Sequence, residues 1–290
     1  MLSEKESPAG EKAPTTAGPV VGDTTVPIRE GKANLEVRWA LGFTGGSFNP
    51  HWRRVSARGD FVSLEVPVKF TYGFAKNWEV YTIIPYLYNW AGNVSPSGPK
   101  GERSTDFGGL RDVNLTFKYL LLEETPKGPA VAGLFGVNFP TGHCRRLNPG
   151  RLGQDQLGFG AYTFTLGFDL YKYVKPFLLY GNIWYSMSTD ATVAGEPVFY
   201  RDYVTVNLAA EWALTGPWVA VLEFYSQWDG GRLFGVRSNL PPAALLGVVP
   251  GLECIMSPRW SWTLGVAIDL AGRNNYLKYT PIFTFYYNFN

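Results

Sequence analysis

The 290-residue chain has no apolar run approaching the roughly 18–20 residues that a membrane-spanning helix needs. That excludes a helical membrane protein but not a barrel of short, half-apolar strands. It has no basic excess: 26 Lys and Arg stand against 24 Asp and Glu, which argues against nucleic acid as a partner. It has two cysteines, too few for a disulfide framework, and only two histidines, His51 and His143. It also shows no signal peptide, because MLSEKESPAG is acidic and polar where a basic and then apolar stretch is expected. Either a signal has been removed and a start Met supplied, or the chain stays in the cytosol.

What is plentiful is aromatic: 16% of residues, with ten Trp and seventeen Tyr, beside 33 Gly and 21 Pro. Many short segments separated by Gly/Pro turns indicate an all-β chain, and the length suits one large barrel or two small soluble domains. Residues 1–31 are rich in Pro, Gly, Ser, Thr and Ala with almost no aromatics, and read as a flexible periplasmic leader. From residue 32 to 290 the texture is that of strands. In FVSLEVPVKFTY, Val62, Leu64, Val66, Val68, Phe70 and Tyr72 share one face, opposite Ser63, Glu65, Lys69 and Thr71. DVNLTFKYL, AYTFTLGFDL, YVTVNLAAEW and WSWTLGVAIDL repeat this period of two. About twelve such segments occur, each near the 9–11 residues that a tilted membrane strand needs.

The connections alternate in length. Short turns fall at 73–77, 122–128, 170–175, 214–217 and 256–259. Longer polar loops fall at 44–58, 90–108, 140–158, 187–200 and 229–243. Up-and-down strands gather the short turns at one end and the long loops at the other, as in transmembrane barrels with short periplasmic turns and long extracellular loops. Trp78, Trp212, Trp218 and Trp260 sit where strands meet short turns, which suits an interfacial belt; Phe43, Trp90, Phe139 and Tyr185 suit the opposite one. A soluble sandwich would show the same alternation. Three features favour the membrane barrel: apolar faces too bulky for a small interior, charges at mid-strand, and loops of alternating length.

LFGVNFPTG, a polar loop and then LGFGAYTFTLGFDL resemble the outer-membrane barrel family named after the meta-pathway of phenol degradation. FGGLRDVNLTFKYLL resembles that family's Gly-Gly-Asp strand, and VVPGLECIMSPRWSWTLGVAIDLAGRN its closing hairpin. The resemblance implies passage of small, often hydrophobic or aromatic compounds across the outer membrane of a Gram-negative bacterium.

Parity turns one set of residues toward the lumen. The acids are Glu36, Glu65, Asp112, Asp169, Glu211, Glu223, Glu253 and Asp269; the bases are Arg38, Lys69, Lys118 and Lys278. These line a solute path or pair across it, since unpaired buried charges are expensive. Tyr180, Trp184, Tyr225 and Tyr286 point inward beside Asn182 and Gln227, offering stacking surface next to hydrogen-bonding groups. Arg53, Arg54, Arg145, Arg146 and Arg151 form a basic outer rim that suits lipopolysaccharide phosphates or anionic solutes. His143 and Cys144 follow the Pro140-Thr141-Gly142 corner, and only His51 could join them, so no metal or cofactor is expected. Both histidines lie in loops, away from any strand serine, and no acid is marked as a base, so catalysis is not expected. The expected partners are membrane lipid, lipopolysaccharide and a small solute. The favoured function is an outer-membrane channel. The alternatives are a closed barrel anchoring a periplasmic or redox partner through residues 1–31, and a barrel enzyme acting on lipids.

Overall fold

Alternating sequence becomes a closed wall. The computed structural model describes residues 16–94, 103–234 and 238–289. Its strands are β1 (Ala33–Phe48), β2 (Arg54–Ala75), β3 (Trp78–Val94), β4 (Arg103–Leu110), β5 (Val113–Leu122), β6 (Ala130–Phe139), β7 (Thr163–Val174), β8 (Phe177–Ser188), β9 (Ala191–Val193), β10 (Glu196–Tyr200), β11 (Tyr203–Ala213), β12 (Trp218–Asp229), β13 (Arg232–Phe234), β14 (Ser238–Leu240), β15 (Ala243–Ile255), β16 (Trp260–Arg273) and β17 (Asn275–Phe289). β4 and β5 share one place in the wall, since both pair with β3. Taken as one, they give twelve antiparallel strands, closed where β1 pairs β17 from Ala33↔Phe289 to Phe48↔Asn275.

The distribution of side chains is inverted relative to a soluble protein. Lys118, Asp169, Glu211, Glu223 and Glu253 have no exposed surface, whereas Leu208 is 58% exposed and Phe168 and Phe224 are 52% exposed. A water-soluble sandwich buries its apolar face and solvates its charges; only a lipid environment makes the observed arrangement favourable. Val66, Leu115, Phe164, Leu208 and Val266 lie on the outer face, opposite in phase to the inward residues of their strands. Trp78, Trp212, Trp218 and Trp260 are exposed beside the short turns, and Phe43, Trp90, Phe139 and Tyr185 are exposed toward the other end.

Three features differ from the sequence expectation. First, much of the expected loop 44–58 is strand: β2 runs for 22 residues, about twice what a tilted crossing needs, so this hairpin projects past the lipid. Other polar loops carry a small sheet of β9, β10, β13 and β14. Second, the wall strand breaks at Arg111 and Asp112. β6 pairs with β5 and stops at Phe139, so among the described residues no strand covers the far edge of β4. The 140–162 loop lies there instead: Arg151 Nη1 donates to the Asp106 carbonyl at 2.9 Å, and Asn89 Nδ2 donates to the Gln154 carbonyl at 3.0 Å. Third, the segment expected to be a flexible periplasmic leader over 1–31 is, from residue 16 onward, folded into the lumen; residues 1–15 lie outside the described residues. The physical reason is that the barrel wall supplies the hydrogen-bonding partners that the segment's own composition lacks.

Arginine at Leu208 or Val266 is expected to destabilise the barrel by about 2–4 kcal/mol each, read from urea unfolding in lipid vesicles. Tolerance at both positions would reverse the inside–outside assignment.

Candidate functional site

The lumen is organised around residues 16–32. Gly31 N–H donates to the Gly73 carbonyl at 2.7 Å, and Gly73 N–H to the Lys32 carbonyl at 3.0 Å, tying the segment's base to the rim beside the short turns. Ile28 N–H then donates to Glu79 Oε2 at 2.8 Å, at the start of β3. At the far point Asp23 N–H donates to Asn182 Oδ1 at 3.1 Å, while Asn182 Nδ2 returns a bond to the Asp23 carbonyl at 3.0 Å. Gly22 and Val21 N–H groups donate to the two oxygens of Glu223, at 2.5 and 2.8 Å. A side chain on Gly22 would run into Asn182 Oδ1 and Glu223 Oε1, so this close approach requires glycine. The chain then descends. Ala17 N–H donates to Glu253 Oε1 at 2.8 Å, near the short-turn end of β15, and Thr16 Oγ1 lies 3.2 Å from Tyr180 Oη. The segment is therefore a loop that enters and leaves on the short-turn side.

Two side chains seat it. Val20 is fully buried among Val221, Val249 and Ile282. It fits the hole left by Gly251 and Gly265, where added Cβ atoms would lie 3.2 and 3.3 Å from its methyls. Asp23 is held by two lysines: Lys118 Nζ at 2.7 Å and Lys69 Nζ at 2.9 Å. Lys118 Nζ also donates to the Thr24 carbonyl at 2.5 Å and lies 3.2 Å from Asp169 and 3.4 Å from Glu79. Burial alone would push the Asp23 carboxyl up, but Lys118 and Lys69 together reverse this and hold it well below the usual carboxylate range. Asp23 is thus an anion in the seat.

The inward residues named from parity divide by what they touch. Lys69, Lys118, Asp169, Tyr180, Asn182, Glu223 and Glu253 hold the segment directly or through one neighbour. Glu211 accepts a bond from Tyr180 Oη at 3.1 Å. Glu36 pairs with Arg38 at 2.7 Å, and Glu65 with Arg111 at 2.6 Å. Tyr225 Oη donates to Asp269 at 2.6 Å, and Asp269 also accepts the Lys278 N–H at 2.7 Å. Tyr286 is buried opposite Glu36 and Ser261. Asp112 clamps both ends of the 140–162 loop, accepting Gly142 N–H at 2.9 Å and Phe159 N–H at 2.7 Å. Trp184 and Gln227 line open lumen.

Sequence reasoning missed Asp23, Glu79 and Arg111. Glu79 carried a usable signal, since the period of two turns it inward with Tyr81; its place opposite Lys118 appears only in the fold. Asp23 carried none, sitting among Gly, Thr and Pro.

At the outer end, Arg53, Arg54, Arg145 and Arg146 are exposed. Arg151 is instead a loop clamp, with its guanidinium 4.5 Å from the Phe107 ring. His143 Nδ1 bonds the Asp155 carbonyl at 2.9 Å. Cys144 is packed with Ala161, Ala191, Val193 and Val198, and burial, with Asp112 adding and Arg145 opposing, pushes its thiol up. A protonated, buried thiol is a poor nucleophile and a poor ligand. Among the described residues no group of three or more His, Cys, Asp or Glu could hold a metal ion.

Lys118→Met would leave buried carboxylates without their cation and is expected to cost about 3–5 kcal/mol in denaturant unfolding. Asp23→Asn should cost less, since Lys118 retains Asp169 and Glu79. Equal effects would mean that Lys118 is not the hub of the cluster.

The family model described as "Putative MetA-pathway of phenol degradation" matches residues 59–285. No curated protein sequence matches the chain. Among solved structures, the chain is similar to the COG4313 outer membrane channel from Pseudomonas putida F1, at 12% identity over 93% of this chain and 100% of that one, with a TM-score of 0.73. It is also similar to the translocator domain of autotransporter NalP from Neisseria meningitidis, at 11% identity over 93% and 90%, with a TM-score of 0.50. These likenesses extend the closed barrel to known outer-membrane proteins. With the family model covering most of the barrel wall, the chain belongs to the family described as the MetA-pathway of phenol degradation.

Proposed function

We propose that the protein is an outer-membrane channel of a Gram-negative bacterium for small hydrophobic or aromatic solutes, held shut by its own residues 16–32. The observation that carries this reading is a cavity of about 860 Å³ inside the barrel. It runs along the folded-in segment and opens above it into a vestibule bearing Trp184, Tyr203 and Phe159 beside Gln227, Thr205 and Ser186. The same cavity is lined by the charged Glu65, Arg111 and Asp112, and the rings beside them offer a planar, weakly polar molecule a stacking surface. The printed name of the P. putida relative, an outer membrane channel, supports the same reading. On this view the exposed Arg53, Arg54, Arg145 and Arg146 meet lipopolysaccharide phosphates. The leader is where a periplasmic partner would engage.

A second reading, a closed barrel serving as an anchor, draws on the buried ion pairs that seat the segment. Flux into vesicles separates the two. Phe159→Ala with Tyr203→Ala, in the full-length chain, is expected to slow phenol entry at least about fivefold while leaving a small sugar unaffected, as the loss of two ring contacts implies. Equal acceleration of both solutes would make the rings an obstruction and end the aromatic reading. Absence of flux both in the full-length chain and in Asp23→Asn, which loosens residues 16–32 from Lys69 and Lys118, would favour the anchor.

A further inference from the structure

Resting on the channel reading, we propose that Trp184 is the positioning residue through which the solute-facing vestibule controls the plug. Its indole is half-buried on the cavity wall. It lies flat against Gly167, its direct cross-strand partner, where any side chain would collide with the ring. That placement aims Nε1 at Asp169 Oδ1, 2.9 Å away. The same oxygen accepts Asn182 Nδ2 at 2.8 Å. The other oxygen of Asp169 lies 3.2 Å from Lys118 Nζ, and Lys118 Nζ lies 2.7 Å from Asp23. One carboxylate thus has the vestibule on one side and the plug latch on the other.

The direction of coupling follows from competition. Lys118 is shared among Asp23, Asp169 and Glu79. An Asp169 whose charge is already satisfied by two N–H donors is a weak competitor for the lysine, which leaves Lys118 to Asp23. When the indole N–H is withdrawn, Asp169 draws Lys118 toward itself and the latch on Asp23 loosens. A planar solute that stacks on the ring and turns it, or that accepts its N–H, has the same effect. The plug, seated or unseated, is the two-state element such coupling requires.

The test uses the full-length chain in lipid vesicles carrying Val20→Cys, with labelling by a thiol reagent from the short-turn side. Val20 is fully buried in its seat, so labelling reports unseating; the chain without this substitution gives the background from buried Cys144 and Cys254. Trp184→Phe keeps a ring and removes the donor, and is expected to speed labelling about tenfold, the factor carried by one hydrogen bond to a charged group. Gly167→Ala, which pushes the indole aside without changing it, should do the same. Asp169→Asn still accepts the indole bond but no longer competes for Lys118, so labelling should be slower than in the parent. The double variant Trp184→Phe, Asp169→Asn should then follow Asp169→Asn alone, because no charge remains for the indole to restrain. A merely structural role for Trp184 would leave the double variant fast. That result, or labelling of both Trp184→Phe and Gly167→Ala at the parental rate, overturns the proposal. Millimolar phenol should speed labelling of the parent and leave Trp184→Phe unchanged. If phenol moves neither, while the variants behave as stated, the aromatic-substrate reading fails and the Trp184 relay stands.

Discussion

A lysine with no exposed surface sets the terms for this barrel. Lys118 sits inside the wall, and an unpaired ammonium there would be prohibitively costly. Wall residues Asp169 and Glu79 offer two acids at more than 3 Å, and Asp23 is the nearest of the three carboxylates. The third acid comes from a segment outside the wall, so charge balance in the lumen and the position of the plug are one problem. Removing the plug leaves Lys69 and Lys118 facing two wall acids and water; seating it brings an anion to both. The cluster therefore ties residues 16–32 to the charges of the wall as well as to the apolar seat that Val20 and Val21 occupy.

That division explains what could be read from the sequence. Period-two alternation is a property of each strand alone, so the inward phase of Glu36, Lys69, Lys118, Asp169, Asn182 and Trp184 was legible without any knowledge of neighbours. Which inward groups meet was not, because that depends on register, and the β7–β8 register is set by a turn at Lys175 and Pro176, shorter than the one expected over 170–175. The pairing of Lys118 with Glu79 depends on β3 and β5 standing opposite each other, and that of Asn182 with Asp169 on β7 and β8. The plug was the least legible part. Residues 16–32 have the composition of an unfolded chain because their order comes from outside: four main-chain N–H groups end on Glu253, Glu223 and Glu79. A wall that binds backbone leaves no signature in the bound side chains.

The break at Arg111 and Asp112 has a comparable cause. Inward residues are odd-numbered in β4 and even-numbered in β5, as their pairings with β3 require. An extra residue in the strand shifts its phase and frees Asp112 from the ladder. The freed carboxylate then takes two N–H groups from opposite ends of the 140–162 loop, while Arg111 turns to Glu65 and the Leu157 carbonyl. In sequence, Asp112 reads as one more lumen acid. In the fold it is the bracket that lets a loop stand where a strand is missing.

Two cross-strand pairs repeat one device inside the lumen. Trp184 lies over Gly167, and Tyr225 lies over Gly247, in each case where a Cβ would strike the ring. Each ring then donates to an inward aspartate, Asp169 or Asp269. Glycine opposite an aromatic lets a large side chain lie along the wall instead of crossing the lumen, so space is kept open while the polar tip is held in register. The two rings differ in what lies behind the aspartate. Asp269 leads to the main chain of its neighbouring strand at Lys278, which cannot move without opening the sheet. Asp169 leads to Lys118 and from there to Asp23, in a segment that lies outside the wall. The same local geometry thus ends in the sheet in one place and in a segment outside the sheet in the other, and the difference lies wholly in the third partner.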